Sequence, residues 1–331
     1  MKKTGPSCAI GVDLGGTFIK AGVVDAGGQI VYQASRATEV ENGRDAIIGN
    51  IAAAAENVLA GAGMNWDQVC GVGVGSPGIF DYDRGGYVYF APNLKSLEGH
   101  ALPQLVQQRL KRDARVILEN DANAAAYGEK WVGMGRNVKT LVLFTLGTGI
   151  GGGLVLGGEV WHGSTGFGGE LGHMTILADG PLCGCGNRGC IEALASAPAL
   201  VRRLNEALQA GRPTVLAARA RGGEKVTAKD IYNAAVAGDD TAAELMAETG
   251  HYLGVAAASM INILNPQMIV FGGGMTAAGE MLLNPIREEA KKRAIRAAFE
   301  AGEIVFSRLG NDAGLIGAAG CVLKASGISA S

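Results

Sequence analysis

No run of like charge interrupts this sequence. Its 29 Lys and Arg against 31 Asp and Glu leave a net charge of −2 spread over 331 residues, which excludes a protein built to hold nucleic acid or an anionic membrane by bulk electrostatics. No secretory signal is visible either: Met1-Lys2-Lys3-Thr4-Gly5-Pro6 carries charge, but no adequate apolar region follows before Asp13. Uninterrupted apolar spans are also missing. Thr140 to Gly158 is broken by Gly147, Gly149, Gly151, Gly152 and Gly153, and reads as two strands around a turn. Tyr252 to Gly279 carries Asn262, Asn265, Pro266 and Gln267, and reads as a buried helix leading into a buried strand. No low-complexity linker divides the chain. The expectation is a cytoplasmic protein with neither membrane nor nucleic acid as partner.

What is present is apolar residue and glycine. Hydrophobic residues make up 48% and charged residues 18%, so burial is ample and disorder is excluded. The length predicts two lobes rather than one small core. The 53 glycines show no three-residue period, which rules out collagen. They cluster at Gly15-Gly16, Gly147 to Gly153, Gly168-Gly169 and Gly272 to Gly274. Such runs suit strand-linking turns and places where backbone approaches backbone or phosphate.

Val- and Ile-rich runs alternate with Ala-rich helical patterns, the signature of an α/β protein. Strands are predicted at 8–14, 19–24 and 29–33, a helix at 44–60, a strand at 69–75, a helix at 102–111 and a strand at 115–118. The theme then restarts with strands at 139–146, 152–157 and 159–161. Asp13-Leu14-Gly15-Gly16-Thr17 opens the first half and Thr145-Leu146-Gly147-Thr148-Gly149 the second, each a Gly and Thr turn between apolar strands. Helices follow: one after a Thr227 to Asp230 capping signal, then 240–264, which ends before Pro266, then 280–299 and 314–325, with strands at 268–271 and 304–306.

The two turns read as a phosphate cradle. Glycine lets main-chain amides point at phosphate oxygens, and a threonine hydroxyl adds a donor. That assigns Gly15, Gly16, Thr17, Thr148 and Gly149 to a nucleotide, with Asp13 placed to hold Mg²⁺ through water and Lys20 adding charge nearby. Neither turn matches the P-loop or the dinucleotide fingerprint. Gly273 and Gly274, after a buried strand, are candidates to lie against an adenosine. Separately, Cys183-Gly184-Cys185-Gly186-Asn187-Arg188-Gly189-Cys190 packs three of the six cysteines into eight positions. In a reducing compartment this reads as a metal site rather than a disulfide. Three thiolates need a fourth ligand, and His173 lies ten positions upstream. Glu119-Asn120-Asp121-Ala122-Asn123 follows a strand and opens an Ala-rich helix, where Asn120 or Asp121 serves as an ordinary cap.

The order Asp-x-Gly-Gly-Thr, Gly-Thr-Gly and Gly-Gly-Gly resembles the actin, Hsp70 and hexokinase superfamily. Within it the chain is similar to the ROK family (repressors, open reading frames, kinases), from Gly11-Val12-Asp13 to Asp312-Ala313-Gly314-Leu315-Ile316-Gly317. The most specific part is Glu170-x-Gly172-His173 followed by Cys183-x-Cys185-Gly186-x-x-Gly189-Cys190-x-Glu192. The resemblance implies a two-lobed actin-like (ribonuclease H-like) fold with a cleft between lobes, 1–118 plus 312–331 forming the small lobe and 119–311 the large. It implies an ATP-dependent hexose kinase, of glucokinase type, with Asp121 as general base. Asn120, Glu170, His173 and Glu192 would hold the sugar, with Gly78 and Asn93 lining the same cleft. His173, Cys183, Cys185 and Cys190 would hold a structural Zn²⁺, and the chain would form a dimer or tetramer. One departure bears on the hexose: after Pro92-Asn93-Leu94, where glucose-phosphorylating relatives carry a Trp-containing segment, this chain has Lys95-Ser96-Leu97-Glu98-Gly99-His100. The alternatives are an N-acetylmannosamine, N-acetylglucosamine or fructose kinase of the same family, and, in a different class, a sugar-responsive transcription regulator. Only twelve residues precede Asp13, too few for the DNA-reading head of such regulators. A chaperone-like or filament ATPase would need neither the cysteine signature nor Glu192.

Overall fold

Alternating apolar strands and Ala-rich helices give a mixed α/β chain. The structure, a computed structural model, describes residues 6–328. In order these form β1 (Cys8–Leu14), β2 (Phe18–Asp25), β3 (Ile30–Ala37), α1 (Arg44–Gly61), β4 (Val69–Ser76), β5 (Ile79–Asp81), β6 (Tyr87–Phe90), α2 (Leu102–Leu110), β7 (Arg115–Asn120) and α3 (Asp121–Trp131). There follow β8 (Leu141–Leu146), β9 (Ile150–Leu156), β10 (Glu159–Val160), α4 (Ile191–Ala195), α5 (Ala197–Gln209), α6 (Ala217–Arg221), α7 (Ala228–Val236) and α8 (Asp240–Leu264). The last elements are β11 (Met268–Gly272), α9 (Glu280–Arg293), α10 (Arg296–Glu300), β12 (Glu303–Phe306) and α11 (Ala313–Ala325). Among the described residues no helix is long and apolar enough to cross a membrane.

The chain divides into two compact units, one made of residues 1–139, 153–169 and 311–331, the other of 140–152 and 170–310. The sequence reading put 119–139 and 153–169 with the second lobe; here they belong to the first. The reason is the packing of α3. Ala124 of α3 meets α11 so closely that a Cβ on Gly317 would lie 1.6 Å from the Ala124 carbonyl oxygen, and Gly153 backs onto Ala122. Only the absence of a side chain lets these backbones touch.

In the first unit the sheet runs β3-β2-β1-β4-β7. β1, β2 and β3 are antiparallel neighbours, while β4 and β7 run parallel to β1. Register sets Asp13 level with Gly75, and Gly75 level with Glu119. The parallel strands therefore end together and deliver Asp13, Asn120 and Asp121 to one sheet edge, where open α/β sheets carry their ligands. α11 lies directly on this sheet: a Cβ at Gly73 would fall 1.9 Å from the Ala318 carbonyl oxygen. Ile10, Val12, Leu14, Ile47, Ile51, Val72 and Val74 fill the core beneath.

The second sheet has the order β10-β9-β8-β11-β12, so its strands follow the same third-second-first-fourth-fifth sequence as the first. β8, β11 and β12 are parallel, and Phe144 of β8 stacks on Phe271 of β11 at 5.1 Å. α7 starts with the expected capping box, Thr227 and Asp230 exchanging side-chain bonds with each other's amides. α8 ends at Asn265, which takes a left-handed φ of 44° before Pro266. The predicted helix 280–299 is two helices. Asn262 Oδ1 of α8 accepts from the Ile295 amide at 2.9 Å, and the backbone turns extended at Ala294.

Candidate functional site

In the first unit, the β1–β2 turn exposes Gly16 and Thr17, while Thr38 Oγ1 donates to the Gly15 carbonyl at 2.7 Å and steadies the turn. Asn93 sits beside it, its Cβ 3.7 Å from where a Gly16 Cβ would be. At the end of β7, Asn120 Oδ1 accepts from the amides of Ala122 (2.9 Å) and Asn123 (3.1 Å), which makes it the cap of α3. Its Nδ2 donates to the Gly78 carbonyl at 3.0 Å. Oδ1 and one of the two Nδ2 hydrogens of Asn120 thus fix the turn that carries Asp121. The Asp121 carboxylate also accepts from the Ala122 amide, at 2.9 Å.

Asp13 and Asp121 face a common charge problem. Burial first, then repulsion from Asp121 and Asp312, pushes the Asp13 carboxyl up to about 6 against the opposing pull of Lys20. Burial also raises Asp121, the amides only partly offsetting it. Lys20, expected to add charge near the phosphates, is held by other partners. Its ammonium is engaged by the Asp312 carboxylate and lies 3.4 Å from the Asn311 carbonyl. Asp312, which precedes α11, was not singled out from the sequence, although it opens the quoted Asp312-Ala313-Gly314 motif.

The shift at Asp13 yields a stability prediction. A carboxyl with an ordinary value of 3.8 that titrates at about 6 in the folded chain favours folding while protonated. That advantage is lost as pH rises from about 4 to about 6, and at neutral pH the ionised group costs on the order of 2–3 kcal/mol. Asp13→Asn should therefore raise the melting temperature by several degrees at pH 7.5 in metal-free buffer, and by only about a third as much at pH 4.5. Calorimetry at the two pH values checks this; a lower melting point for the variant at pH 7.5 contradicts it.

The second unit assembles the other candidates. Gly147 and Gly149 close the β8–β9 turn through Gly147 N–H donating to the Gly149 carbonyl at 3.0 Å, and Thr148 is exposed at its tip. Gly273 holds φ 89°, and a Cβ there would lie 2.4 Å from the Leu146 carbonyl oxygen, so it abuts the end of β8; a Cβ on Gly274 would meet nothing. Glu192, in the first turn of α4, accepts from the Ile150 amide at 2.9 Å. Its other oxygen lies 3.7 Å from Cys183 Sγ. One carboxylate therefore joins the Gly147–Gly149 turn to the cysteine loop. Exposed Glu170 precedes a 3₁₀ turn over Leu171–His173.

His173, Cys183, Cys185 and Cys190 present one ligand atom each, all within 4.8 Å of one another. Cys183 Sγ is 3.7 Å from His173 Nδ1, and Cys185 Sγ is 3.7 Å from Cys190 Sγ. A tetrahedron with bonds of about 2.3 Å has edges of about 3.8 Å, so the set fits Zn²⁺. Burial and the crowding thiols push Cys183 up to about 12, whereas the Asn187 amide draws Cys185 down.

Two sheets of like strand order, each with a Gly and Thr turn between its first two strands, define an actin-like fold of two α/β lobes. The chain belongs to the ROK family, whose model matches residues 9–325. It is 40% identical over 313 residues to a glucokinase of Thermotoga maritima, covering 95% of this chain and 96% of that one. A solved ROK family glucokinase from Streptomyces griseus, in complex with glucose and AMPPNP, is 36% identical with a TM-score of 0.79, covering 95% and 98%. A ROK family transcriptional regulator, a homologue of the E. coli MLC protein, has a TM-score of 0.83 at 28% identity, covering 96% and 78%.

Proposed function

We propose that this protein is an ATP-dependent hexose kinase, a glucokinase that transfers the γ-phosphoryl group of ATP to the 6-hydroxyl of glucose. The observation that carries this reading is the turn at Asn120–Asp121, a carboxylate raised by desolvation and fixed beside Asp13 at the ends of parallel strands. It belongs to a chain 40% identical to a glucokinase along nearly its whole length.

Asp121 accepts the hydroxyl proton as the sugar oxygen forms its bond to phosphorus and the bond to the departing ADP oxygen breaks. A carboxyl raised above its ordinary value is a better base near neutral pH than one held low. Asn120, Glu170, His173 and Glu192 hold sugar hydroxyls, carboxylates gripping them by charge-assisted bonds, and Gly78 and Asn93 are assigned to the same sugar. Gly15, Gly16, Thr17, Thr148 and Gly149 offer amides and hydroxyls to the phosphates, and Gly273 and Gly274 leave a flat surface for the adenosine. Asp13 orders Mg²⁺ through water, and the ion supplies charge neutralisation on the phosphates when bound. His173, Cys183, Cys185 and Cys190 hold a structural Zn²⁺. With Nδ1 turned to the thiol side, His173 keeps Nε2–H for a sugar oxygen. The protein works in the cytoplasm as a homo-oligomer, a dimer or tetramer, and engages neither membrane nor nucleic acid.

The test is turnover with ATP and Mg²⁺ across glucose, fructose, N-acetylglucosamine and N-acetylmannosamine. Glucose should give the highest kcat/KM. A preference for another of these sugars moves the specificity and leaves the chemistry. No turnover with any hexose, together with sequence-specific DNA retardation released by a sugar, would replace the kinase reading by a regulator.

A further inference from the structure

Glu119 is a buried carboxylate, 6% exposed, two positions before Asp121, and its partners come from three separate segments. Tyr82 Oη donates to its Oε1 at 2.7 Å, from just beyond β5. His162 Nε2 meets its Oε2 at 2.8 Å, which makes that nitrogen the donor, from the loop after β10. The Asn120 amide (2.9 Å) and Asn123 Nδ2 (3.3 Å) complete the set from the catalytic turn itself. A carboxylate so enclosed is tolerable only because its oxygens are satisfied by these donors.

The His162 loop is seated on β5 and β6 by further contacts. The rings of Tyr82 and His162 lie 4.1 Å apart, and Phe167 meets Tyr89 edge-on at 5.7 Å. Gly166 holds φ 85°, and a Cβ there would fall 2.1 Å from the Phe80 carbonyl oxygen, so only glycine lets the loop come down on the strand. Gly168 N–H donates back to the His162 carbonyl at 2.8 Å and closes the loop. Burial and the Glu119 charge push the Tyr82 phenol far up, keeping it a donor.

We propose that Tyr82, Glu119 and His162 are positioning residues for phosphoryl transfer, Glu119 acting as the hub that locks the loop 161–169 and the end of β5 to the turn presenting Asn120 and Asp121. This rests on the kinase reading, since it assigns the network an effect through Asp121. Asn120 is tied on one side to Gly78, three residues from β5's end, and on the other to α3. Releasing Glu119 would therefore let both the sugar-holding amide and the base drift together. A misplacement of about 1 Å at a reacting group costs about 10²-fold in rate.

The experiment is a kinetic cycle with glucose, ATP and Mg²⁺. His162→Ala should lower kcat by about 10²-fold with KM for ATP within about twofold of the parent. His162→Gln, which keeps an N–H donor, should recover at least about tenfold of that loss. Tyr82→Phe should behave like a milder His162→Ala. In an Asp121→Asn background the His162→Ala loss should shrink to within about threefold, because the group it positions is gone. Losses that multiply in full in that background would overturn the proposal, as would a folded His162→Ala protein with wild-type kcat. Parent enzyme inactive on every hexose would instead bring down the kinase reading beneath it. Glu119→Gln places an amide against donors, and if it fails to fold the other variants still decide.

Discussion

Asp121→Ala should lower kcat for glucose phosphorylation by about 10³–10⁴-fold, near the upper end of what a positioned base contributes, and leave binding of glucose and nucleotide within a few-fold of the parent. The two effects separate because Asp121 is fixed by its own turn. Asn120, not Asp121, supplies the main cap to α3 through Ala122 and Asn123, so truncation at 121 leaves the helix start and its Asn120–Gly78 tie in place. Isothermal titration with glucose, next to a coupled assay for ADP, gives both numbers. Activity retained within tenfold would remove Asp121 as the base.

The pH profile offers an independent check on the same residue. Burial holds the Asp121 carboxyl above its ordinary 3.8, and the base must be ionised to take a proton. Activity should therefore fall as pH drops through a value above 3.8, and Asp121→Asn should remove the part of that acid limb that Asp121 supplies, leaving the part that belongs to Asp13. Asp13 titrates in the same direction, at about 6. The two are separable by what they hold. Loss of Asp13 should raise the Mg²⁺ requirement, while loss of Asp121 should not.

Much of this site could be read from the chain because its parts are local in sequence. The cysteine cluster spans eight positions, and the Gly and Thr turns each lie between two strongly apolar strands. What escaped sequence reading is non-local. Glu119 adjoins the proposed base, yet its partners Tyr82 and His162 lie 37 and 43 positions away. Lys20 reads as added charge near the phosphate turn, and its partner Asp312 lies 292 positions on. The break between α9 and α10 is imposed by Asn262 from another helix, against an unbroken helical pattern. β5 and β6 are only three and four residues long, at or below the shortest length at which period-two alternation is visible. The strand order common to both sheets gives the sequence echo between Asp13–Thr17 and Thr145–Gly149 a physical basis, since each turn links the first two strands of its sheet.

Removing metal from the proposed site in the 173–190 loop should also cost activity, less than losing the base and by a different route. The loop from 182 to 188 buries only Cys183, and besides its backbone bridges it is held by polar contacts, Asn187 Nδ2 donating to Thr175 Oγ1 at 2.8 Å and Arg188 lying 3.4 Å from the Gly180 carbonyl. Four ligands on a d¹⁰ cation supply what a hydrophobic core does not. Cys190 immediately precedes α4, and Glu192 in that helix binds the Ile150 amide at the Gly147–Gly149 turn. Loss of the cation would release His173 and Glu192 at once, and the turn with them. Cys190→Ser should thus fall from one zinc per chain to well under half, with kcat/KM for glucose reduced by at least about 10²-fold, mainly through a raised KM. Because bound thiols must be deprotonated and Cys183 resists this when metal-free, zinc should also be lost more readily to chelators as pH falls. Metal analysis by mass spectrometry, set beside sugar kinetics on the same preparations, tests the chain of effects. A zinc-free protein with full glucose affinity would show that the four side chains hold the loop without a metal, and that Glu192 owes its position to the Ile150 amide alone.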